Sequence, residues 1–352
     1  MKLVSVDDLK GTEVLGMPIV SSGNVILIGE GTILNDSYIA KLRELGVSSV
    51  YVGKPGEARP VNNFTVEETY EQSREKIKTV LEKHVYKHNE DLKNVLEEAD
   101  RILTNVAQEP EVMENLTEVR NISTDLYSHS LNVCTLSTIM ALKLKMTEEQ
   151  TRNVAIGAIL HDIGLKFTTV ECRDIDVDEL GPEEQGEYKK HTVNGYGSIQ
   201  DEKWLTDVAK DIILLHHERV DGGGYPFQYT GAKLRPEVKL VAVCDDFDSM
   251  ISGVGRKRMK MHEAIEYIKV NEGVLYDSSV ASKLLKAIAV YPVGTIAVTN
   301  EGEQAEVIRQ NPTAPERPVI RMLKHQDGTP YDSEVVYDMM RKLTIFIVDT
   351  ID

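Results

Sequence analysis

Five of the nine histidines of this 352-residue chain, His129, His161, His191, His216 and His217, crowd into one quarter of its length. His161 follows the apolar run Val154 to Leu160, and His216-His217 close the run Ile212 to Leu215. Carboxylates accompany them. Asp162 directly follows His161, Asp245 ends the run Val238 to Cys244, and Asp125 stands four residues before His129, on the same helical face. Imidazoles and carboxylates at the ends of buried helices need polar partners. Taken singly, such a histidine is more often a core residue hydrogen-bonded to backbone than a ligand. Taken together, they would need several separate compensations for burial, and one metal cluster satisfies all of them. Neighbouring residues on a helix point about 100° apart, so Asp162 can bridge two ions while His161 binds one of them. Mixed imidazole and carboxylate donors suit Fe, Mn or Zn better than Mg or Ca.

The formal charge of −17 argues against binding the backbone of long nucleic acids, an affinity that comes from Lys and Arg displacing counterions. An anionic substrate must instead meet local positive charge, which bound cations supply. Cys134, Cys172 and Cys244 are odd in number and form no CxxC pair, so they read as reduced thiols. No apolar run reaches the length of a membrane span, and the expectation is a soluble, cytoplasmic protein.

The expected fold is mainly α, with four segments. Residues 1–60 read as a small α/β module, with short apolar runs at Val25–Ile28 and Ser49–Val52 and an amphipathic helix from Asp36 to Leu45. Residues 61–118 are rich in Glu and Lys and read as connecting helices, a candidate surface for a partner or for a homodimer. His84 and His88 lie there four apart, and with no third ligand nearby they read as surface residues. Residues 119–290 keep the helical period and hold almost all the chemistry. Residues 291–352 read as a β-rich extension, with strands at Thr295–Thr299, Ala305–Arg309 and Val319–Leu323 and a last one at Leu343–Val348.

The order His129, His161-Asp162, His191, then His216-His217-Glu218-Arg219-Val220-Asp221-Gly222-Gly223-Gly224-Tyr225-Pro226, then Asp245-Asp246-Phe247-Asp248 resembles the HD-GYP family of bacterial cyclic di-GMP phosphodiesterases, a branch of the HD phosphohydrolases. The resemblance covers residues 115–290 closely, extends to YPVGT and ERPVIRM between Tyr291 and Met322, and reaches the N-terminal module only loosely. It implies an HD-type helical bundle holding two or three divalent ions, Fe or Mn foremost. The implied ligands are His129, His161, Asp162, His191, His216, His217 and Asp245, with Asp162 bridging at the catalytic centre and Asp125 where some members place a Glu for a third ion. The implied reaction is hydrolysis of cyclic di-GMP to pGpG, and on to GMP, by a hydroxide shared between the cations. Gly224, Tyr225 and Pro226 would form a lip over the substrate, and the family also uses this loop against diguanylate cyclase domains.

Two departures touch the grip on substrate. Family members usually carry Lys where this chain has Leu165, and Lys166 points elsewhere on a helix. The basic stretch after Asp245 reads Gly253-Val254-Gly255-Arg256-Lys257-Arg258, apparently one residue short, with Arg256 and Lys257 left as candidate phosphate contacts. Two rivals to the phosphodiesterase therefore stand: a weakly active or non-catalytic cyclic dinucleotide receptor or scaffold, and an HD phosphohydrolase of another nucleotide.

Overall fold

The computed structural model describes residues 2–6, 9–15, 19–20, 26–28, 32–44, 49–53, 63–87, 90–108, 125–311 and 313–351. The chain divides into two compact units, residues 1–72 and 73–352.

In the first unit, β1 (Lys2–Ser5) pairs antiparallel with β4 (Ser49–Val52), Leu3 opposite Tyr51, and β2 (Ile19–Val20) pairs with β3 (Ile26–Ile28). Helix α1 (Asp36–Glu44) starts where the Asn35 side chain accepts from the Tyr38 amide at 3.1 Å, a cap for one of the unpaired N–H groups of its first turn. Ile39 and Leu42 from α1 join Val6, Leu15, Leu34 and Val50 in one small core. This is the α/β module, and its helix begins where the amphipathic pattern placed it.

Helices build most of the second unit. Helix α2 (Asn63–Lys87), whose part from Ser73 on belongs to this unit, leads to α3 (Val95–Gln108), and α4 (Leu126–Lys143) follows residues outside those described. Helix α5 (Glu148–Leu160) opens on a capping box, with Thr147 and Gln150 each taking the other's backbone N–H. Next come α6 (Pro182–Lys189), α7 (His191–Ile199), α8 (Asp207–Leu215), α9 (Pro236–Ser252), α10 (Met261–Val270) and α11 (Ser278–Ala287). Helix α4 packs on α5 and α9, and α5 packs on α3 and α8. Both α4 and α9 are buried on all sides for most of their length, and that is why their sequences lack a polar stripe. Polar residues within them, such as His129 and Asp245, therefore face other protein groups. Among the described residues no helix is long and apolar enough to cross a membrane.

Two expectations need correction. His84 is 3% exposed, and its Nε2 lies 3.1 Å from the Ser198 carbonyl, so it is a core residue rather than a surface one. It sits seven residues after Ile77 and three after Leu81, on the same buried face of α2. Its companion His88 lies outside the described residues. The second correction concerns the C-terminal extension, an antiparallel sheet in the order β8 (Val336–Asp338), β7 (Val319–Lys324), β6 (Gln304–Arg309), β5 (Ile296–Thr299), β9 (Ile347–Ile351). The last strand starts at Ile347 instead of Leu343. The Arg317 guanidinium takes the carbonyls of Leu343 and Ile345 at 3.2 and 3.1 Å, and Asn300 holds the Phe346 amide at 2.9 Å. With those groups satisfied by side chains, that stretch has no need of a strand partner.

Candidate metal centre

The site is assembled from helix ends. Helix α5 stops at Leu160, and the chain turns through His161 and Asp162 into a single 3₁₀ turn, Ile163–Phe167, that lies on α7. The approach is close: a Cβ on Gly164 would stand 1.8 Å from the His191 carbonyl oxygen and 2.7 Å from the Gly195 nitrogen, so only glycine fits there. That contact brings Asp162 Oδ1 to 3.3 Å from His191 Nε2. His191 opens α7, His216 and His217 follow α8, and His129 and Asp245 project from the buried α4 and α9.

These residues meet. His129 Nε2 is 3.1 Å from Asp245 Oδ1, 3.2 Å from His161 Nε2 and 3.6 Å from Asp162 Oδ2. On the other side of Asp162, His191 Nε2 and His216 Nε2 face each other at 3.2 Å, and His217 Nδ1 stands 3.8 Å from Asp245 Oδ2. His129, His161, His191 and His216 are fully buried.

The outer nitrogens decide the protonation. Nδ1 of His161 is 2.7 Å from the Ala158 carbonyl, that of His191 is 2.7 Å from the Tyr188 carbonyl, and that of His216 is 3.0 Å from the Ile213 carbonyl. A carbonyl oxygen only accepts, so in each neutral ring Nδ1 carries the proton and Nε2 carries the lone pair. His129 Nδ1 lies 2.8 Å from Asp248 Oδ2 and is fixed likewise. Lone pairs are thus aimed at one another across 3.2 Å in two places, an arrangement that needs a cation between them. Asp162 Oδ1 and Asp245 Oδ2 are buried there without a hydrogen bond. Bare carboxylate oxygens and opposed imidazole lone pairs are what divalent metal ions coordinate, and the donor set fits them.

Without metal the chain must satisfy this charge with protons. Burial disfavours a charged His129, but its hydrogen bonds to Asp245 and Asp248 outweigh burial and push it up to about 9. Burial opposes charge on Asp162 too, yet the neighbouring histidines, His161 foremost, hold it well below the usual carboxylate range. Asp245 is depressed in the same way by His129 and His161. His191 is pulled down to about 4, mainly by burial, and His217 falls well below its ordinary value through burial and the adjacent His216.

Seven of the eight expected ligands therefore converge: His129, His161, Asp162, His191, His216, His217 and Asp245. Asp125 does not join them. It caps α4, with Oδ1 accepting from the Tyr127 and Ser128 amides and Oδ2 2.7 Å from the Ser128 hydroxyl and 3.0 Å from Arg74 Nε. Two carboxylates had no assigned role. Asp248 orients His129, and Asp246 can group with His217 and Asp245. Their spacing carried a signal for Asp248, since residues three apart share a helical face with Asp245.

Beside the cluster lies the glycine-rich loop. The Tyr225 ring stacks on His217 with centroids 4.7 Å apart, and the Tyr225–Pro226 peptide is cis. Glu218, only 2% exposed, ties the loop back by accepting from the Phe227 and Tyr229 amides at 2.7 and 2.9 Å. A Cβ on Gly224 would meet the His217 carbonyl oxygen at 2.4 Å. Arg219 pairs with Asp246 at 2.6 Å, and Tyr276 donates to the same carboxylate at 2.8 Å. Of the other expected substrate contacts, Arg256 lies 3.7 Å from Asp246 and over the Tyr267 ring, while Lys257 is exposed. Leu165 is buried in a small core with Val177 and Tyr188.

Residues 106–280 match the family described as HD domain, and residues 298–352 match the KOW domain associated with HD domain. The chain is 29% identical over 213 residues to a cyclic di-GMP phosphodiesterase of Pseudomonas aeruginosa, covering 60% of this chain and 51% of that protein. It is 32% identical over 178 residues to a cyclic di-GMP phosphodiesterase of Thermotoga maritima, covering 50% and 48%. The chain thus spans about half the length of these curated relatives. Among solved structures, an HDG"Y"P protein from Bdellovibrio bacteriovorus superposes with a TM-score of 0.56 at 18% identity, covering 81% of this chain and 98% of that one, a likeness of fold. Fold and site together define an HD-domain protein with a His/Asp centre suited to divalent metal. The family match is to the HD domain, and the curated relatives it resembles are cyclic di-GMP phosphodiesterases, in line with the HD-GYP resemblance of its motifs.

Proposed function

We propose that this chain is a metal-dependent phosphodiesterase that hydrolyses cyclic di-GMP to linear pGpG and on to GMP. The observation that carries the reading is the opposed pair His191 Nε2 and His216 Nε2, 3.2 Å apart with both Nδ1 protons directed to backbone carbonyls. Such a pair is built for a cation. His191, His216 and His217 would hold one ion and His129, His161 and Asp245 a second, with Asp162 reaching both. Asp125, engaged by its own helix and by Arg74, is left out of this set, so we propose two ions, Fe or Mn. When bound, the ions supply a water nucleophile at neutral pH and neutralise charge on the phosphoryl oxygens. The chain's own groups fix the geometry: Asp248 orients His129, and backbone carbonyls orient His161, His191 and His216. Tyr225, with Gly224 and Pro226, forms the lip against a guanine base, and Arg256 and Lys257 after the α9 motif are candidate phosphate contacts.

The reading extends to partners and place. Phe227, 49% exposed on the loop, suits contact with a diguanylate cyclase domain, and α2 and α3 suit a homodimer. Reduced cysteines fit the cytoplasm. The receptor reading is favoured by one observation, the buried Leu165, which places an apolar side chain where family members usually carry Lys. The test is protein purified without air exposure, analysed for metal, and given cyclic di-GMP beside a panel of other cyclic dinucleotides and nucleotides. Two ions per chain with pGpG as product supports the proposal. Tight binding with no linear product over hours overturns hydrolysis in favour of the receptor, and turnover only of another substrate favours the other phosphohydrolase.

A further inference from the structure

An anionic phosphodiester must approach a site whose own chain carries Asp162, Asp245, Asp246 and Asp248 in a protein of formal charge −17. Most cations around that site are already engaged. Arg219 pairs with Asp246 at 2.6 Å, and Arg256 lies 3.7 Å from the same carboxylate. Lys166 sits over the Tyr127 ring and 3.8 Å from Glu82. Lys190 pairs with Glu187 at 2.9 Å. Its neighbour Lys189 differs from all of these.

Lys189 ends α6, two residues before His191 and directly after Tyr188, whose ring lies 4.9 Å from that of His191. Its ammonium stands 5.6 Å from the centroid of Tyr225, the ring that stacks on His217. Among the described residues no carboxylate pairs with it. It is half-buried, so its stem lies against protein while its charge is carried to the lip of the metal centre. A cation on an aromatic face keeps most of its capacity to donate, because the ring takes none of its three N–H groups in a strong hydrogen bond. Below it, Leu165 packs against Tyr188 and adds no charge.

We infer that Lys189 is a substrate-binding residue that donates to a non-bridging phosphate oxygen of the bound phosphodiester, a role Leu165 cannot fill. The inference rests on the proposed phosphodiesterase reading for its substrate, but its phosphate contact can be measured without turnover. Lys189 holds phosphate at the rim. It takes no part in metal binding, and Tyr225 sets the direction of its ammonium.

The experiment compares wild type, Lys189→Ala and Lys189→Arg, all metal-loaded, by titration calorimetry with inorganic phosphate and by steady-state kinetics on cyclic di-GMP. Loss of one partly screened charged contact corresponds to about a tenfold weakening. The expected result is a phosphate Kd about tenfold higher in Lys189→Ala, with unchanged metal content and melting temperature, and recovery to within about threefold in Lys189→Arg. For cyclic di-GMP, KM should rise with kcat little changed, and the affinity should become less sensitive to salt. Equal phosphate affinity in wild type and Lys189→Ala overturns the inference, as does a wild type that binds no phosphate. Wild type that binds phosphate through Lys189 yet leaves cyclic di-GMP intact upholds the contact and sinks only the substrate reading.

Discussion

Replacing Gly164 with Ala tests whether the metal centre depends on one backbone approach. The new Cβ would lie 1.8 Å from the His191 carbonyl oxygen, and ordinary contact begins at 3.4 Å, so the 3₁₀ turn and α7 must separate by about 1.6 Å. Both obstacles are backbone atoms, and neither can swing aside as a side-chain tip would. Asp162 rides on that turn and now stands 3.3 Å from His191 Nε2. A metal ligand tolerates displacements of about 0.2 Å, so a shift several times larger removes Asp162 from the ion that His191 holds. Overpacking of this kind costs about 3 kcal/mol or more. The assay is elemental analysis of wild type and Gly164→Ala, with thermal melts before and after chelation. We expect the variant to lose at least half its metal and most of the melting-temperature difference between loaded and chelated protein. Full metal content with an undiminished difference would refute the reasoning, because the approach of turn and helix would then not set the ligand geometry.

Asp162→Ala removes the carboxylate shared by both halves of the cluster and should abolish metal retention and hydrolysis together, read by elemental analysis and product chromatography. Asp125→Ala should leave metal content unchanged while lowering stability by about 1–2 kcal/mol through loss of the helix cap, seen in chemical denaturation. Glu218→Ala should raise KM with metal content intact, because the Phe227 and Tyr229 amides lose their acceptor and the loop loosens. Chelated protein should lose stability in the alkaline range. His129 rises from 6.5 to about 9 on folding, so its stabilisation is complete below pH 6.5 and is lost as pH climbs through 9. The loss amounts to roughly 3 kcal/mol. Denaturant midpoints of chelated protein that stay flat from pH 6.5 to 9.5 would count against this.

How far the sequence could be read depended on the kind of signal each residue left. His161, His216 and His217 were legible because each ends an apolar run, where a helix must present a polar group to the interior. Asp125 was ambiguous for a physical reason: an Asp just before a helix is also a good N-cap, and four-residue spacing from His129 cannot tell ligand from cap. The Arg74 that pairs with it comes from 51 residues earlier, a contact no local pattern contains. His84 was legible in principle, since it continues the buried period of Ile77 and Leu81, but with no third ligand nearby it read as a surface residue. The start of the last strand was hidden because Arg317 and Asn300, distant in sequence, supply the hydrogen bonds that alternation alone would assign to a neighbouring strand.

The carbonyls that hold the imidazoles belong to the last turns of α5, α6 and α8, so three helices end at the same point. Each contributes the negative pole of its macrodipole, about half an elementary charge at close range. The metal-free centre therefore favours cations, the proton held on His129 among them. On the proposed phosphodiesterase reading, bound metal would reverse that sign, and the order of assembly would be ions first and nucleotide second.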